Sequence, residues 1–531
     1  MLFFPRFLTF AMKPLSLFLL VSCFTFLLHA QHDAQRNAVI ALAKGDDAKF
    51  SREFLNPRVD AGMNETRMVN LLRLLRKDQV DEALACADMA VEHGMDPARI
   101  LAGSGAELSK LRAHPKFEEL RGIDEVGPLI HGPMVGDVTD TSASIWVRTN
   151  GPRNVGATWW SKGGKKGGAG GGTGGNLMSE AANDFVVKLK VEGLDPNTRY
   201  EGDVLSEGVS SGTFSFQTRL APGSSTKAKV AFGGGAGYVP EYHGMWDTIK
   251  SRQPDALLML GDNVYIDDPE HVVTQHYCYY RRQSEPGWRS LVSQVPVYSI
   301  YDDHDFGDND VMAGPAIDKP AWKRPVVEVF EQNWVNPGYG GGKENPGCWY
   351  SFTIGDIDFF LLDGRYYRHR DSGSMLGAVQ KAWLLDGLKK SKATFKAIVS
   401  PVPFTPGVKP GSRDTWDGYD EEREELFSFI ETEKIDGVFL VSADRHRTDL
   451  RTIARENGPP FYEFMSSRLT NRHVHSVIKT PGLIWGYNET CSFGLMEFDT
   501  TKDTPEVIFR CIDIEGEEHH SFTFEAKMAD R

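Results

Sequence analysis

The chain has 531 residues, a formal net charge of −14, 40% apolar residues and 25% charged residues. That length exceeds what one hydrophobic core serves, so more than one domain is expected, and the ordinary composition excludes a disordered chain. The acidic balance argues against a nucleic-acid backbone as general partner, because such binding rests on clustered Lys and Arg.

Arg6 and Lys13 precede an apolar stretch over 15–28 that ends at His29-Ala30. This is the pattern of a secretory signal over residues 1–30, cleaved near Ala30, and it implies a secreted or periplasmic location. Leu20-Val21-Ser22-Cys23 has the residue types of a lipidation box, so a lipid anchor at Cys23 is the alternative. No later apolar stretch has the length of a membrane span. Cys86, Cys278, Cys348, Cys491 and Cys511 follow the cleavage point. An odd number leaves at least one unpaired, and the spacing fits neither a zinc framework nor a dense disulfide scaffold. Cys491 and Cys511 could pair across neighbouring strands, and buried free thiols fit equally well.

Residues 31–125 carry apolar side chains at helical spacing, with Val69, Leu72 and Leu75, then Val80, Ala83, Leu84 and Ala87, as the clear runs. Two or three repeat-like helix pairs are expected, read as a small cap or docking unit without a chemical role. Near Gly127 the period becomes two: Ser144-Ile145-Trp146-Val147-Arg148 and residues 185–191 alternate as half-buried strands. Leu194-Asp195-Pro196-Asn197-Thr198-Arg199-Tyr200 matches the Leu-x-Pro-x-Thr-x-Tyr corner of fibronectin III and related sandwiches. A fibronectin III/Ig-like β-sandwich is therefore expected over residues 126–222. Inside it, the glycine-rich stretch 163–175, with Lys165 and Lys166, lacks the Lys-Ser/Thr and helix start of a phosphate-cradling loop. It is expected to be a flexible hairpin loop.

Beyond residue 226, five apolar runs end in polar side chains. Ala256-Leu257-Leu258-Met259-Leu260 runs into Gly261-Asp262-Asn263-Val264-Tyr265, and 295–301 runs into Asp302-Asp303-His304-Asp305. Residues 359–362 deliver Asp363, 397–399 deliver Ser400, and 438–441 deliver Ser442 and then Asp444-Arg445-His446. Buried strands with such endings assemble a site at one sheet edge, where strands fix positions and loops supply chemistry.

In order and spacing these motifs, together with Leu362-Asp363-Gly364-Arg365-Tyr366-Tyr367-Arg368, resemble the alkaline phosphatase D (PhoD-like) family of calcineurin-like metallophosphoesterases. The resemblance implies an α+β fold: a four-layer αββα metallophosphatase domain over residues 226–531, preceded by the sandwich and the helical region. The strands at 492–498 and 507–510 would lie in its second sheet. It implies a phosphate ester substrate, water activated by metal ions, and iron(III) and/or calcium as the ions. Specific nucleic-acid binding and a transmembrane anchor are not expected.

By the same resemblance Asp262, Tyr265, Asp303, Asp444 and His446 are metal ligands, Asp303 standing where relatives carry asparagine, and His304 is the catalytic histidine. The residue types agree. Two metals roughly 3.5–4 Å apart acidify water and clamp a phosphoryl group, and Asp262, turning off a buried strand, suits a bridging carboxylate. Tyr265 offers a phenolate, which favours iron(III). Protonated His304 would serve the leaving group. Arg365, with Arg368, would fork onto phosphate oxygens, a structural salt bridge being the competing role. Asn309 and Asp305 are secondary candidates. One departure stands out: where the family's first strand ends in a cysteine ligand, this chain reads Val230-Ala231-Phe232-Gly233-Gly234-Gly235-Ala236. Gly235 in place of a thiolate implies altered metal preference. The alternatives are a phosphodiesterase or phospholipid hydrolase of the same fold, and a non-catalytic surface-binding protein with a decayed phosphatase domain.

Overall fold

The computed structural model describes residues 33–54, 64–102, 105–164, 171–456 and 458–526. The signal segment over 1–30, Cys23, Lys165 and Lys166 lie outside the described residues.

Helices Ala34–Lys44, Asp47–Phe54, Asn64–Arg76, Val80–Glu92 and Ala106–Arg112 follow the apolar spacing at the start of the chain. The first is closed at both ends by its own sequence. The Asp33 carboxylate accepts the backbone N–H of Arg36 at 3.0 Å, and Gly45, at φ 68°, supplies the left-handed stop. Its inner face of Ala38, Val39, Ala41 and Leu42 is buried in the same core as Val230, Leu258 and Tyr277. Two ion pairs, Asp33 with Arg281 and Arg36 with Asp267, bind this helix to the second half of the chain. A shared core and shared charges seat these helices on the second half of the chain.

Two antiparallel sheets follow. One orders Leu129–Gly136, Ser142–Thr149 and Val186–Glu192; the other orders Gly172–Met178, Asn154–Ser161, Arg199–Ser206 and Val209–Gln217. Inward-facing Val135, Ile145, Val147, Val155, Leu189, Tyr200 and Phe216 form a core of their own between them. The Tyr200 hydroxyl accepts the backbone N–H of Asp195 at 2.9 Å and ties the corner back on itself. Part of the glycine-rich stretch is strand, not loop. A Cβ on Gly172 or Gly174 would meet the Trp159 ring at 2.5 and 3.0 Å, so bare backbone lets the indole lie across this edge.

The remainder stacks two larger sheets. A six-stranded sheet orders Val297–Ile300, Ala256–Leu260, Lys227–Gly233, Ser492–Asp499, Glu506–Asp513 and Glu518–Glu525. A seven-stranded sheet orders Tyr350–Ile354, Ile357–Leu361, Phe395–Val399, Val438–Ser442, Phe461–Ser466, Thr448–Ile453 and Leu483–Tyr487. Phe359 and Phe439 of the second meet Phe498 of the first, and Phe464 meets Phe509, with ring centroids 5.0–6.1 Å apart. Helices Gly377–Lys390 and Asp420–Thr432 bury Leu384, Leu388, Leu426 and Phe427 against Phe360, Ile398 and Leu440 of the seven-stranded sheet. Helices Gly244–Ser251 and Pro286–Val292 meet through Trp246 and Trp288 in the core that holds the six-stranded sheet. The last strands thus extend the sheet that leads to Asp262 rather than building the opposing one.

Residues 308–344, patternless in the sequence, contain the helix Lys323–Asn333, which buries Val326, Val327 and Phe330. All five described cysteines are free; Cys511 lies opposite Gly494 in its ladder, not opposite Cys491. Among the described residues no helix is long and apolar enough to cross a membrane.

Candidate metal centre

The strands Lys227–Gly233, Ala256–Leu260 and Val297–Ile300 run parallel, as do Ile357–Leu361, Phe395–Val399, Val438–Ser442 and Phe461–Ser466. Parallel strands deliver their C-terminal turns to one edge, and the candidate residues emerge there. The turns are tight. Asp262, Tyr265, Asp444 and His446 sit at φ 52°, 53°, 67° and 45°, a left-handed region that side chains with a Cβ rarely occupy. Buried Asp305 fixes the first turn from beneath by accepting the N–H groups of Asn263 at 2.9 Å and Val264 at 3.0 Å. The Asn263 amide donates to the Ile300 carbonyl at 2.8 Å and locks that turn to the neighbouring strand. Asp305 is thereby a positioning group.

Asp262, Tyr265 and His446 meet. The Tyr265 hydroxyl donates to Asp262 Oδ2 at 3.0 Å and lies 2.8 Å from His446 Nε2. Asp262, Asp303 and His304 each bring one donor atom within 4.8 Å of the others. Asp444, two residues before His446, has its Oδ2 facing Arg445 at 3.5 Å and Lys409 at 3.9 Å. Asp262 Oδ1, Asp303 Oδ1, Asp444 Oδ2, Asn263 Oδ1 and His446 Nδ1 are all buried without a hydrogen-bond partner. Buried polar atoms are nearly always satisfied, and anionic ones left bare are costly. A concentration of bare oxygens and nitrogen at one sheet edge is the donor set a cation requires, so the residues present fit a metal.

Charge follows the same division. Burial pushes the Asp262 carboxyl well above the usual range, with Asp303, Asp302 and Asp305 adding to the rise and His304 opposing it. Asp303 goes the other way, to about 2, because Arg365 and His304 outweigh its burial. Burial would strip His304 of its proton, but the surrounding Asp303, Asp262 and Asp267 hold it as imidazolium. His446 is kept neutral by burial and by His473 and His475.

His304 Nδ1 is bound to Asp267, and Asp267 in turn to Arg36, whose Nη1 also donates to the Tyr265 carbonyl at 3.1 Å. The first described helix therefore reaches the centre. Its signal in the sequence is nil, since Arg36 lies 231 residues from Asp267. His473 and His475 were also passed over, although two histidines two apart repeat the Asp444 and His446 pattern. Their donor atoms and that of His446 fall within 4.8 Å of one another.

Arg365 corrects an expectation. It is completely buried and its guanidinium is engaged by Asp302 and by both oxygens of Asp414 at 2.7 and 3.0 Å, so no fork faces a substrate. Arg368, equally buried, serves Asp414 and the Gly364 carbonyl. Both arrange carboxylates. Asp303, Asp310 and Asp414 also cluster within 4.8 Å, but Arg365, Arg368 and Lys409 already neutralise that group. Asn309 is exposed. Gly235 lies against the centre at φ 65°, where a Cβ would run into the Ser467 carbonyl and come within 3.3 Å of His446 Cδ2. In this backbone no side chain fits there.

Residues 230–490 match the family model described as PhoD-like phosphatase. Alkaline phosphatase D of Bacillus subtilis (strain 168) is 21% identical over 377 residues, covering 60% of this chain and 64% of that relative, just under two thirds of its length. A solved structure of PhoD superposes with a TM-score of 0.58 at 16% identity, over 74% of this chain and 92% of its own. A purple acid phosphatase from yellow lupin (Lupinus luteus) seeds superposes with a TM-score of 0.57 at 14% identity, over 75% of each chain. At these identities the two structures establish a common fold.

Proposed function

Residues 230–490 carry a PhoD-like phosphatase domain, and from that premise we propose that the chain is an exported, metal-dependent phosphoester hydrolase. One observation carries the reading: Asp262 Oδ1, Asp303 Oδ1 and Asp444 Oδ2 are buried without a hydrogen-bond partner, and His446 Nε2 faces Asp262 and the Tyr265 hydroxyl. Asp262, Tyr265, Asp303, Asp444 and His446 are the ligands in this reading, with iron(III) on the phenolate side and calcium among the carboxylates as the ions their chemistry suits. Bound cations supply a nucleophile from water near neutral pH and positive charge for the phosphoryl oxygens.

The chain's own groups supply the rest. His304, kept protonated by three carboxylates, donates its proton to the departing alkoxide from Nε2, because Nδ1 is held by Asp267. Asp267 and Arg36 fix the ring's orientation. Arg365 and Arg368 hold Asp302, Asp303 and Asp414 at their stations. Upstream, the three-plus-four strand division and the Tyr200 corner support a fibronectin III-like sandwich over 126–222, after a helical region over 31–125. Residues 1–30 would direct export.

The test is metal quantification on the full-length protein, coupled to hydrolysis of nitrophenyl phosphate and its bis ester. Bound metal with turnover of either ester is expected, the monoester faster. Asp262→Ala should lose metal and turnover together, and a variant with full turnover would remove Asp262 from the site.

A further inference from the structure

His473 and His475 face His446, and the proposed hydrolysis makes no use of either. We propose that His446, His473 and His475 form a nitrogen-only site for a borderline divalent transition metal, Zn2+ in the first instance, at the imidazole end of the centre. Because His446 also belongs to the proposed ligand set, the inference rests on the hydrolase reading.

Three observations converge. First, one ring nitrogen from each histidine lies within 4.8 Å of the other two. Second, His446 Nε2 is taken up by the Tyr265 hydroxyl at 2.8 Å, while its Nδ1 is buried and has no partner. Third, His473 Nε2 and His475 Nε2 stand 3.1 Å apart. For a cation about 2.05 Å from each imidazole nitrogen, that separation corresponds to an N–metal–N angle of about 98°, between the octahedral and tetrahedral values.

A hydrogen bond between the two Nε2 atoms explains their distance but leaves His446 Nδ1 bare. A cation engages all three. Packing holds the rings: His446 stacks on His475 at 5.5 Å and meets His473 edge-on at 4.9 Å. The absence of a Cβ at Gly235 admits the His446 ring. Arg445 faces Asp444 at 3.5 Å. Imidazoles alone select zinc, copper, nickel or iron over calcium and magnesium, which demand oxygen.

The experiment uses full-length protein stripped of metal. Zn2+ affinity is measured by competition with a chromophoric chelator, and Co2+ is added as the spectroscopic probe. The wild type should bind Zn2+ tightly and give the visible absorption of nitrogen-ligated Co2+. His473→Gln/His475→Gln should lose that absorption and weaken Zn2+ at least about 100-fold, with Ca2+ uptake and secondary structure unchanged. Wild-type Zn2+ affinity and Co2+ absorption in the double variant would overturn the site. Should that variant fail to fold, His475→Gln alone carries the same two outcomes. Zn2+ retained in Asp262→Asn and lost in the histidine variant supports the site whatever either protein hydrolyses, so a failure of hydrolysis would fall on the hydrolase reading alone.

Discussion

The helices ahead of the sandwich and the sandwich itself both precede the larger sheets and share their core, yet of the two only the sandwich also has a core of its own. The sandwich closes a core of its own around Val147, Leu189 and Phe216, while Ile130, Met134, Trp146 and Val186 join the larger core and Trp146 Nε1 donates to the Gln332 carbonyl at 2.7 Å. The helices bury Ala38, Val39, Leu72 and Leu75 in the core that also holds Val230 and Leu258. They bring Arg36 to Asp267 beneath His304. A segment without a private core belongs to the unit that carries the site, however early in the chain it lies.

The strongest test of that contrast is deletion of residues 33–123. The apolar face this would expose is expected to abolish soluble, cooperatively folded protein, read by yield and thermal melting, and an active truncated enzyme would break the comparison. Next in size is Arg281→Met, which strands the Asp33 carboxylate and should cost about 3 kcal/mol in chemical denaturation. The same pair gives a pH signature. Burial pushes the Asp33 carboxyl up, but Arg281 and Arg36 pull harder, so its folded pKa lies below the ordinary value. A depressed carboxylate contributes stability that is fully present above its unfolded pKa of about 3.9 and is lost as pH falls through the folded value. The wild type should therefore lose stability over that acid range more steeply than Arg281→Met.

A smaller effect is expected at Arg36→Met: kcat lower by about 10-fold with KM little changed, and partial recovery in Arg36→Lys. An unchanged kcat would confine the helix to a structural role. Smallest of all is Tyr200→Phe, which removes one hydrogen bond worth about 1 kcal/mol. It should lower the melting temperature by no more than about 2 °C and leave hydrolysis untouched, since Tyr200 lies in the sandwich's inner core.

Where the sequence was legible, local physics decided. Alternation announced Ser142–Thr149, an apolar run announced Ala256–Leu260, and a polar residue just past each strand end announced Asp262, Asp303 and Asp444. Long-range geometry was the illegible part. Nothing near Arg36 or Arg365 tells which carboxylate each will meet, because pairing is set by the tertiary fold. Periodicity also gave no hint that the helices share a core, since an inward face has the same spacing whatever covers it. His473 and His475 were legible by spacing, but their segment has no preceding apolar strand to mark it.

Asp262, Tyr265, Asp444 and His446 all hold left-handed backbone, a conformation that costs an L-residue about 1–2 kcal/mol. The strand-end turns at the centre are therefore among the strained places of the backbone. A breeding programme that rewarded heat resistance alone would favour glycine at these four places and dismantle the catalyst while improving the scaffold. Variants recovered that way would keep the scaffold and lose the centre.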